Sequence, residues 1–396
     1  MKTKTKILYL LPGGLFNSGG MERVVTLKAN YLAEKFDYEV SIATTEQMGR
    51  PVFYPVSEKV QLHHLDVGIH VNFGKEAYLE KCVSRFFKTR EYQKALKKLL
   101  KELRPDFTVS TLGGLDIGFL NRFDDGSIKV GELHFPGKYR QLMARKLSKA
   151  FLPNLVARFR AQEFQNKCEK LSRLVVLTEE EKSSWKNQRN IEVIPNPLPF
   201  FSSESSTTRQ KKAIAVGRLV YEKGFDLLIE VWKEVFEKHP DWELNIYGSG
   251  DQKETLIRLI QENGLEAAVK IHDPSSHIQE LYLEHSMLIL SSRYLEALPM
   301  VLIEAMACGL PLVAFDSPCG PKDVITNGVN GFLVEFGNTK KLAEKINQLI
   351  ESDELRKTMG SAAQKISLNY SLDRIMERWH HLFEELKNEN NCSIRN

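Results

Sequence analysis

Short apolar runs alternate along the chain with longer segments whose apolar residues recur every three or four positions. The runs Ile7-Leu8-Tyr9-Leu10-Leu11 and Met287-Leu288-Ile289-Leu290 are apolar at every position, which suits strands covered on both faces. In the first half, strands are expected near 6–11, 39–45, 60–66, 107–112, 128–134, 173–178 and 191–195, and helices near 20–36, 76–103, 138–170 and 179–187. In the second half, strands are expected over 213–216, 243–247, 269–272, 287–292 and 311–316, with helices over 224–238, 251–263, 276–284 and 299–308 and more beyond. Alternation of this kind predicts α/β architecture with doubly wound parallel sheets. Between Pro195-Asn196-Pro197-Leu198-Pro199 and Lys211 the chain turns Pro-rich and then Ser/Thr-rich without apolar periodicity. A domain boundary is expected there, with domains over 1–196 and 211–371 and a linker over 197–210.

Composition changes this picture little. A chain of 396 residues with 42% apolar and 27% charged residues can bury two cores. No stretch reaches the roughly 18 uninterrupted apolar residues of a membrane-spanning helix. The N-terminus runs from Met1-Lys2-Thr3-Lys4-Thr5-Lys6 straight into an apolar strand, so a cytoplasmic location is expected. Cys82, Cys168, Cys308, Cys319 and Cys392 are scattered and odd in number, and they read as free thiols.

A net charge of +4 does not point to nucleic acid, but it is unevenly spread. Residues 138–160 carry Lys138, Arg140, Arg145, Lys146, Lys149, Arg158 and Arg160 without an acid, interleaved with apolar residues such as Leu142, Phe151 and Phe159. A charge run is usually a solvated helix face; one lacking any acid also suits an anionic membrane surface or a phosphorylated acceptor.

The densest chemistry lies in the segment from Ser291 to Pro311. Glu296 and Glu304 stand eight residues apart around the start of a helix that follows an apolar strand. The separation is just over two helical turns, so both carboxylates can face one crevice at the carboxyl edge of a sheet and accept hydrogen bonds from polyol hydroxyls. Two glutamates at this spacing are by themselves ordinary surface residues. Here Glu304 is flanked by Leu302, Ile303, Ala305, Met306 and Ala307, which argues for burial. A Gly-rich turn, Pro12-Gly13-Gly14 to Gly19-Gly20-Met21, follows the first strand; it lacks the Gly-x-Gly-x-x-Gly dinucleotide fingerprint and its acid, so NAD is disfavoured.

The stretch from Ser291 to Val334, with Glu296-x7-Glu304, Gly309-Leu310-Pro311-Leu312-Val313 and Asn330-Gly331-Phe332-Leu333-Val334, resembles the signature of family 4 retaining glycosyltransferases. Ala297 stands where that family usually has Gly. The resemblance implies a GT-B fold: two Rossmann-like doubly wound domains facing a cleft, the acceptor side N-terminal and the nucleotide-sugar side C-terminal, with the helix over 372–390 crossing back onto the first domain. It further implies that Arg218 and Lys223, in a Gly-Arg-x5-Gly pattern opened by Gly217, clamp the donor diphosphate, that Glu296 holds the transferred sugar and that Glu304 holds the ribose. Gly19 and Gly20 would face the donor phosphates, His134 the transferred sugar, Ile271 and the turn at Gly248 the base and its surroundings, and Leu298, Pro299 and Met300 the donor.

Glu296, Arg218, Lys223 and His134 are then the catalytic candidates. The implied reaction moves a sugar from a nucleotide diphosphate, UDP-sugar favoured, to a glycan or lipid-linked acceptor in surface polysaccharide synthesis. No cofactor or metal is expected, since the chain has no Asp-x-Asp. A nucleotide-sugar-binding protein without transfer activity and a GT-B epimerase or phosphorylase are the alternatives.

Overall fold

The computed structural model describes residues 4–17, 19–68, 78–113, 116–135, 153–185, 188–294, 296–318 and 320–395. Two compact units divide the chain: Met1–Pro197 with Asp373–Asn396, and Leu198–Leu372.

In the first unit, seven strands among the described residues form one sheet: β1 (Lys6–Leu11), β2 (Glu39–Thr44), β3 (Val60–His64), β4 (Phe107–Ser110), β5 (Ile128–Leu133), β6 (Arg173–Val176) and β7 (Ile191–Val193). Their order is β3-β2-β1-β4-β5-β6-β7, every pair parallel. Ile7 to Leu11 are at most 1% exposed, as a strand covered on both faces requires. Helix α1 (Gly20–Lys35) follows β1. Helix α2 (Tyr78–Leu103) lays Tyr92, Leu96, Leu99 and Leu100 into a core with Leu8 and Leu10, and leaves Phe86 and Phe87 exposed. Helix α3 (Pro153–Cys168) and the short α4 (Glu179–Ser184) complete the layer, joined by the C-terminal helix Leu372–Arg395, whose Phe383 packs on Phe107.

The second unit has six described strands: β8 (Lys212–Val216), β9 (Glu243–Tyr247), β10 (Val269–His272), β11 (Met287–Leu290), β12 (Leu312–Asp316) and β13 (Gly331–Glu335). They are parallel in the order β10-β9-β8-β11-β12-β13. This is the Rossmann order, which reverses between β8 and β11 and so opens a crevice where those two strands end. Helices α5 (Phe225–Lys238), α6 (Lys253–Glu262), α7 (Ile278–Leu283) and α8 (Met300–Ala307) alternate with the strands. Trp232 of α5 is fully buried in the core.

Several expectations need adjustment. Strand β11 ends at Leu290 rather than 292, where its backbone pairing with β12 stops; beyond it the Ser291 hydroxyl donates to Lys223 O and the Ser292 hydroxyl to Glu296. Strand β13 was not anticipated as a strand; Gly331 lies so close to β12 that a Cβ there would fall 2.3 Å from the Leu312 carbonyl oxygen. The segment read as a linker is anchored on the second unit: Ser206 N donates to Cys308 O at 2.8 Å and Arg356 Nε to Thr208 O at 2.8 Å. Of the helix expected over 138–170, α3 accounts for Pro153–Cys168, while 138–152 lie outside the described residues; in the basic stretch the one side chain described is that of Phe159, which is exposed.

His285, just before β11, supplies a test of this packing. Its ring is buried and its Nδ1–H donates to Leu281 O at 2.5 Å. Burial pulls its pKa from 6.5 down to about 4. A depressed folded pKa means that the unfolded chain takes up the proton first, so the contribution is present above pH 6.5 and is lost as pH falls toward 4. Urea titrations of the wild type should lose about 3 kcal/mol from this group across that window. The His285→Leu variant should show a correspondingly shallower slope; an unchanged slope would contradict the assignment.

Candidate functional site

The site is assembled where β8 and β11 end. After β8 the chain runs through Gly217 and Arg218 into a turn, Tyr221–Lys223, closed by Gly224 at φ 64° before α5 begins. A Cβ at Gly224 would lie 2.2 Å from the Ser291 carbonyl oxygen, so the turn rests directly on the loop that leaves β11. Arg293 stitches the two together. Its guanidinium forks onto both oxygens of Asp226 at 2.6 Å, donates to Tyr221 O at 3.0 Å and lies 4.1 Å from the Tyr221 ring centre, while its backbone N–H donates to Glu222 O at 2.8 Å. Two parallel charge-assisted bonds fix direction as well as distance.

On this frame Lys223 Nζ meets Glu296 Oε1 at 2.5 Å, and Ser292 Oγ donates to the same oxygen at 2.6 Å. Glu296 is buried and Lys223 half-buried, so the pair is only partly screened by solvent. Arg218 is exposed and has no side-chain partner among the described residues. The site thus presents one free guanidinium beside an ammonium that is shared with a carboxylate. An anionic ligand can recruit both cations, and each carboxylate lone pair released in exchange can accept a hydroxyl.

The remaining donor-side candidates lie on the loops and helices around this frame. Leu298 and Pro299 are buried in the loop before α8, and Met300, half-buried, opens that helix. Glu304, 6% exposed on α8, accepts from the Tyr282 hydroxyl of α7 at 3.1 Å. A Cβ at Gly248 would fall 1.8 Å from the Gly217 carbonyl oxygen, so the turns after β8 and β9 touch backbone to backbone. Ile271, on β10, is half-buried and packs against the core. Beside it the Tyr247 and His272 rings stack at 4.6 Å, and His272 Nε2 bonds to Asn245 Oδ1 at 2.7 Å.

In the first unit, Gly19 caps α1 and Gly20 begins it, with the Glu22 carboxylate folded over Gly19. His134 follows β5; its ring is buried, with Nε2 3.5 Å from Glu132 Oε1. No helix among the described residues is long and apolar enough to cross a membrane.

Sequence reasoning missed Arg293, Asp226, Ser292 and Tyr282. Arg293 and Asp226 are charged residues beside predicted strand and helix ends, a placement that solvated residues share; only strand order makes them neighbours.

Comparisons with known proteins agree with this fold. Residues 200–366 match the family described as Glycosyl transferases group 1. The amylovoran biosynthesis glycosyltransferase AmsD of Erwinia amylovora is 30% identical over 384 residues, covering 94% of this chain and 98% of that protein. Among solved structures, Staphylococcus aureus TarM in complex with fondaparinux, alpha-GlcNAc-glycerol and UDP superposes with a TM-score of 0.73 at 19% identity, covering 96% of this chain and 100% of that one. Anabaena HepE in complex with UDP and glucose gives 0.69 at 20% identity, covering 96% and 99%.

The stitching predicts a measurable coupling. A double-mutant cycle on Arg293→Ala and Asp226→Ala should yield an interaction energy of about 1 kcal/mol, the partial exposure of Asp226 holding it below that of a buried pair. Additive effects would show that the fork does not hold the two loops.

Proposed function

The chain belongs to the group 1 glycosyl transferases and is a glycosyltransferase of polysaccharide synthesis; from that premise we propose that it is a retaining, family 4 type enzyme using a nucleotide diphosphate sugar, UDP-sugar favoured. The acceptor is a hydroxyl of a glycan or lipid-linked glycan. The observation that carries the reading is the Lys223–Glu296 pair on the same loops as Arg218, which has no side-chain partner among the described residues, at the point where the strand order of the second unit reverses.

In this reading the diphosphate binds Arg218 and draws Lys223 away from Glu296, which then accepts hydroxyls of the transferred sugar. Glu304 holds the ribose, and the backbone at Gly217, Gly248 and Ile271 lines the nucleotide. Gly19, Gly20 and His134 of the first unit are assigned to the donor phosphates and the transferred sugar. As the bond from the anomeric carbon to the diphosphate oxygen breaks, negative charge grows on the leaving group and the two cations stabilise it. The acceptor hydroxyl attacks from the same face and its proton passes to the departing phosphate oxygen. The products are a glycoside and a nucleoside diphosphate, and neither glutamate forms a bond to sugar. Without an Asp-x-Asp, the protein's own cations are proposed to do the work of a bridging metal. The enzyme is placed in the cytoplasm, with the basic stretch over 138–160 resting on the inner face of an anionic membrane.

A panel of nucleotide sugars, assayed for nucleotide release with and without extracted lipid-linked acceptors, tests the reaction. Donor binding without acceptor-dependent release would favour the non-catalytic alternative. Glu304→Ala and Arg218→Ala should each lower activity at least tenfold while leaving the fold intact, since each removes a charge-assisted contact worth roughly 1.5–3 kcal/mol. The Arg218 change should act mainly on kcat. Wild-type kinetics at either position would remove the clamp, and activity abolished by EDTA and restored by Mg²⁺ would overturn the metal-free assignment.

A further inference from the structure

The first unit buries a lysine completely. Lys28, on α1, is 0% exposed, and its ammonium is bonded to Glu132 of β5, itself 1% exposed. The ammonium also sits 4.0 Å from the Trp379 ring centre, on the C-terminal helix, and 5.4 Å from that of Tyr9. Burial alone would push the Glu132 carboxyl up, but Lys28 and His134 outweigh it and hold its pKa at about 2. Glu132 is therefore a fixed negative charge inside the unit.

Such a pair is poor at stabilising a fold. Desolvating two ions offsets most of their attraction, and buried ion pairs can often be replaced by apolar side chains without loss of stability. This one is also incompletely satisfied: Glu132 Oε2 and Tyr9 OH are buried without a hydrogen-bond partner among the described residues. A partly satisfied polar cluster is worse for stability than an apolar core, so stability does not account for it.

What the pair does face is His134, whose Nε2 lies 3.5 Å from Glu132 Oε1. A carboxylate at that distance repels a lone pair and attracts an N–H. It therefore selects the tautomer with the proton on Nε2 and directs Nδ1 away from itself. Glu22, three residues into α1 from Gly19, also acts on this ring.

We propose that Lys28 and Glu132 form a buried positioning pair that sets the tautomer and orientation of His134 for the sugar-transfer step. Lys28 anchors the carboxylate, the carboxylate orients the imidazole, and Trp379 closes the anchor from the C-terminal helix. This rests on the assignment of His134 to the transferred sugar, and the test separates the two.

The first measurement needs no variant of the pair. ¹⁵N spectra of the full chain at pH about 8, with the His134 signals identified by their loss in His134→Gln, should show the Nε2–H tautomer; an Nδ1–H ring overturns the proposal. The second uses the double variant Lys28→Met, Glu132→Met. It should melt close to the wild type yet lose at least tenfold in kcat with a donor KM within about twofold, and its His134 tautomer signals should shift. A folded double variant with wild-type kcat and unchanged His134 signals makes the pair structural and overturns the proposal. Should the double variant fail to fold, stability does depend on the pair, and the proposal is likewise overturned. His134→Gln tells the two readings apart: inactive beside an active double variant, it refutes the positioning pair alone; fully active, it refutes the role of His134 and the pair together.

Discussion

A strand covered on both faces of a parallel sheet has little room for an unpaired polar side chain, because desolvating one costs a few kcal/mol. In this chain that constraint clears β1, β8 and β11 almost entirely of charge and sends functional groups to the loops at their carboxyl ends. The reversal of strand order in the second unit then sends the chain after β8 and after β11 in opposite directions, yet keeps the two loops close enough to bond to one another. Arg218, Lys223 and Glu296 all lie on those two loops.

Loops carrying function have to be held still by something other than a core. Here backbone contact does part of the work, at Gly224 against Ser291 and at Gly248 against Gly217, where no side chain would fit. The Arg293 fork onto Asp226 does the rest by tying the loop after β11 to the first turn of α5. Lys223 is thereby placed against Glu296 through the scaffold as well as by their own attraction. The two candidate groups neutralise each other, which limits the cost of keeping charge at a half-buried site.

The first unit solves a related problem differently. Lys28 and Glu132 lie in its interior, where the low dielectric strengthens the pair and makes it costly to leave unsatisfied. The cost is borne next to His134, at the carboxyl end of β5, and the tie to Trp379 brings the C-terminal helix into the same cluster.

Most elements of both units were legible in the sequence, because the burial of a strand or helix face is written in local periodicity. The carboxylates of the Ser291–Pro311 segment were legible too: Glu304, flanked by Leu302, Ile303, Ala305, Met306 and Ala307, is buried as that context required. Partner choice was not legible. Glu296 meets Lys223 across 73 residues, Arg293 meets Asp226 across 67 and Lys28 meets Glu132 across 104. Such pairings follow from strand order and register, which periodicity does not encode. The same reason hid β13, whose close approach to β12 depends on Gly331. Sequence alone determined which segments are buried and which residue types reach the carboxyl edges; the tertiary structure decided which charges meet there, since only folding brings distant loops within a few ångströms.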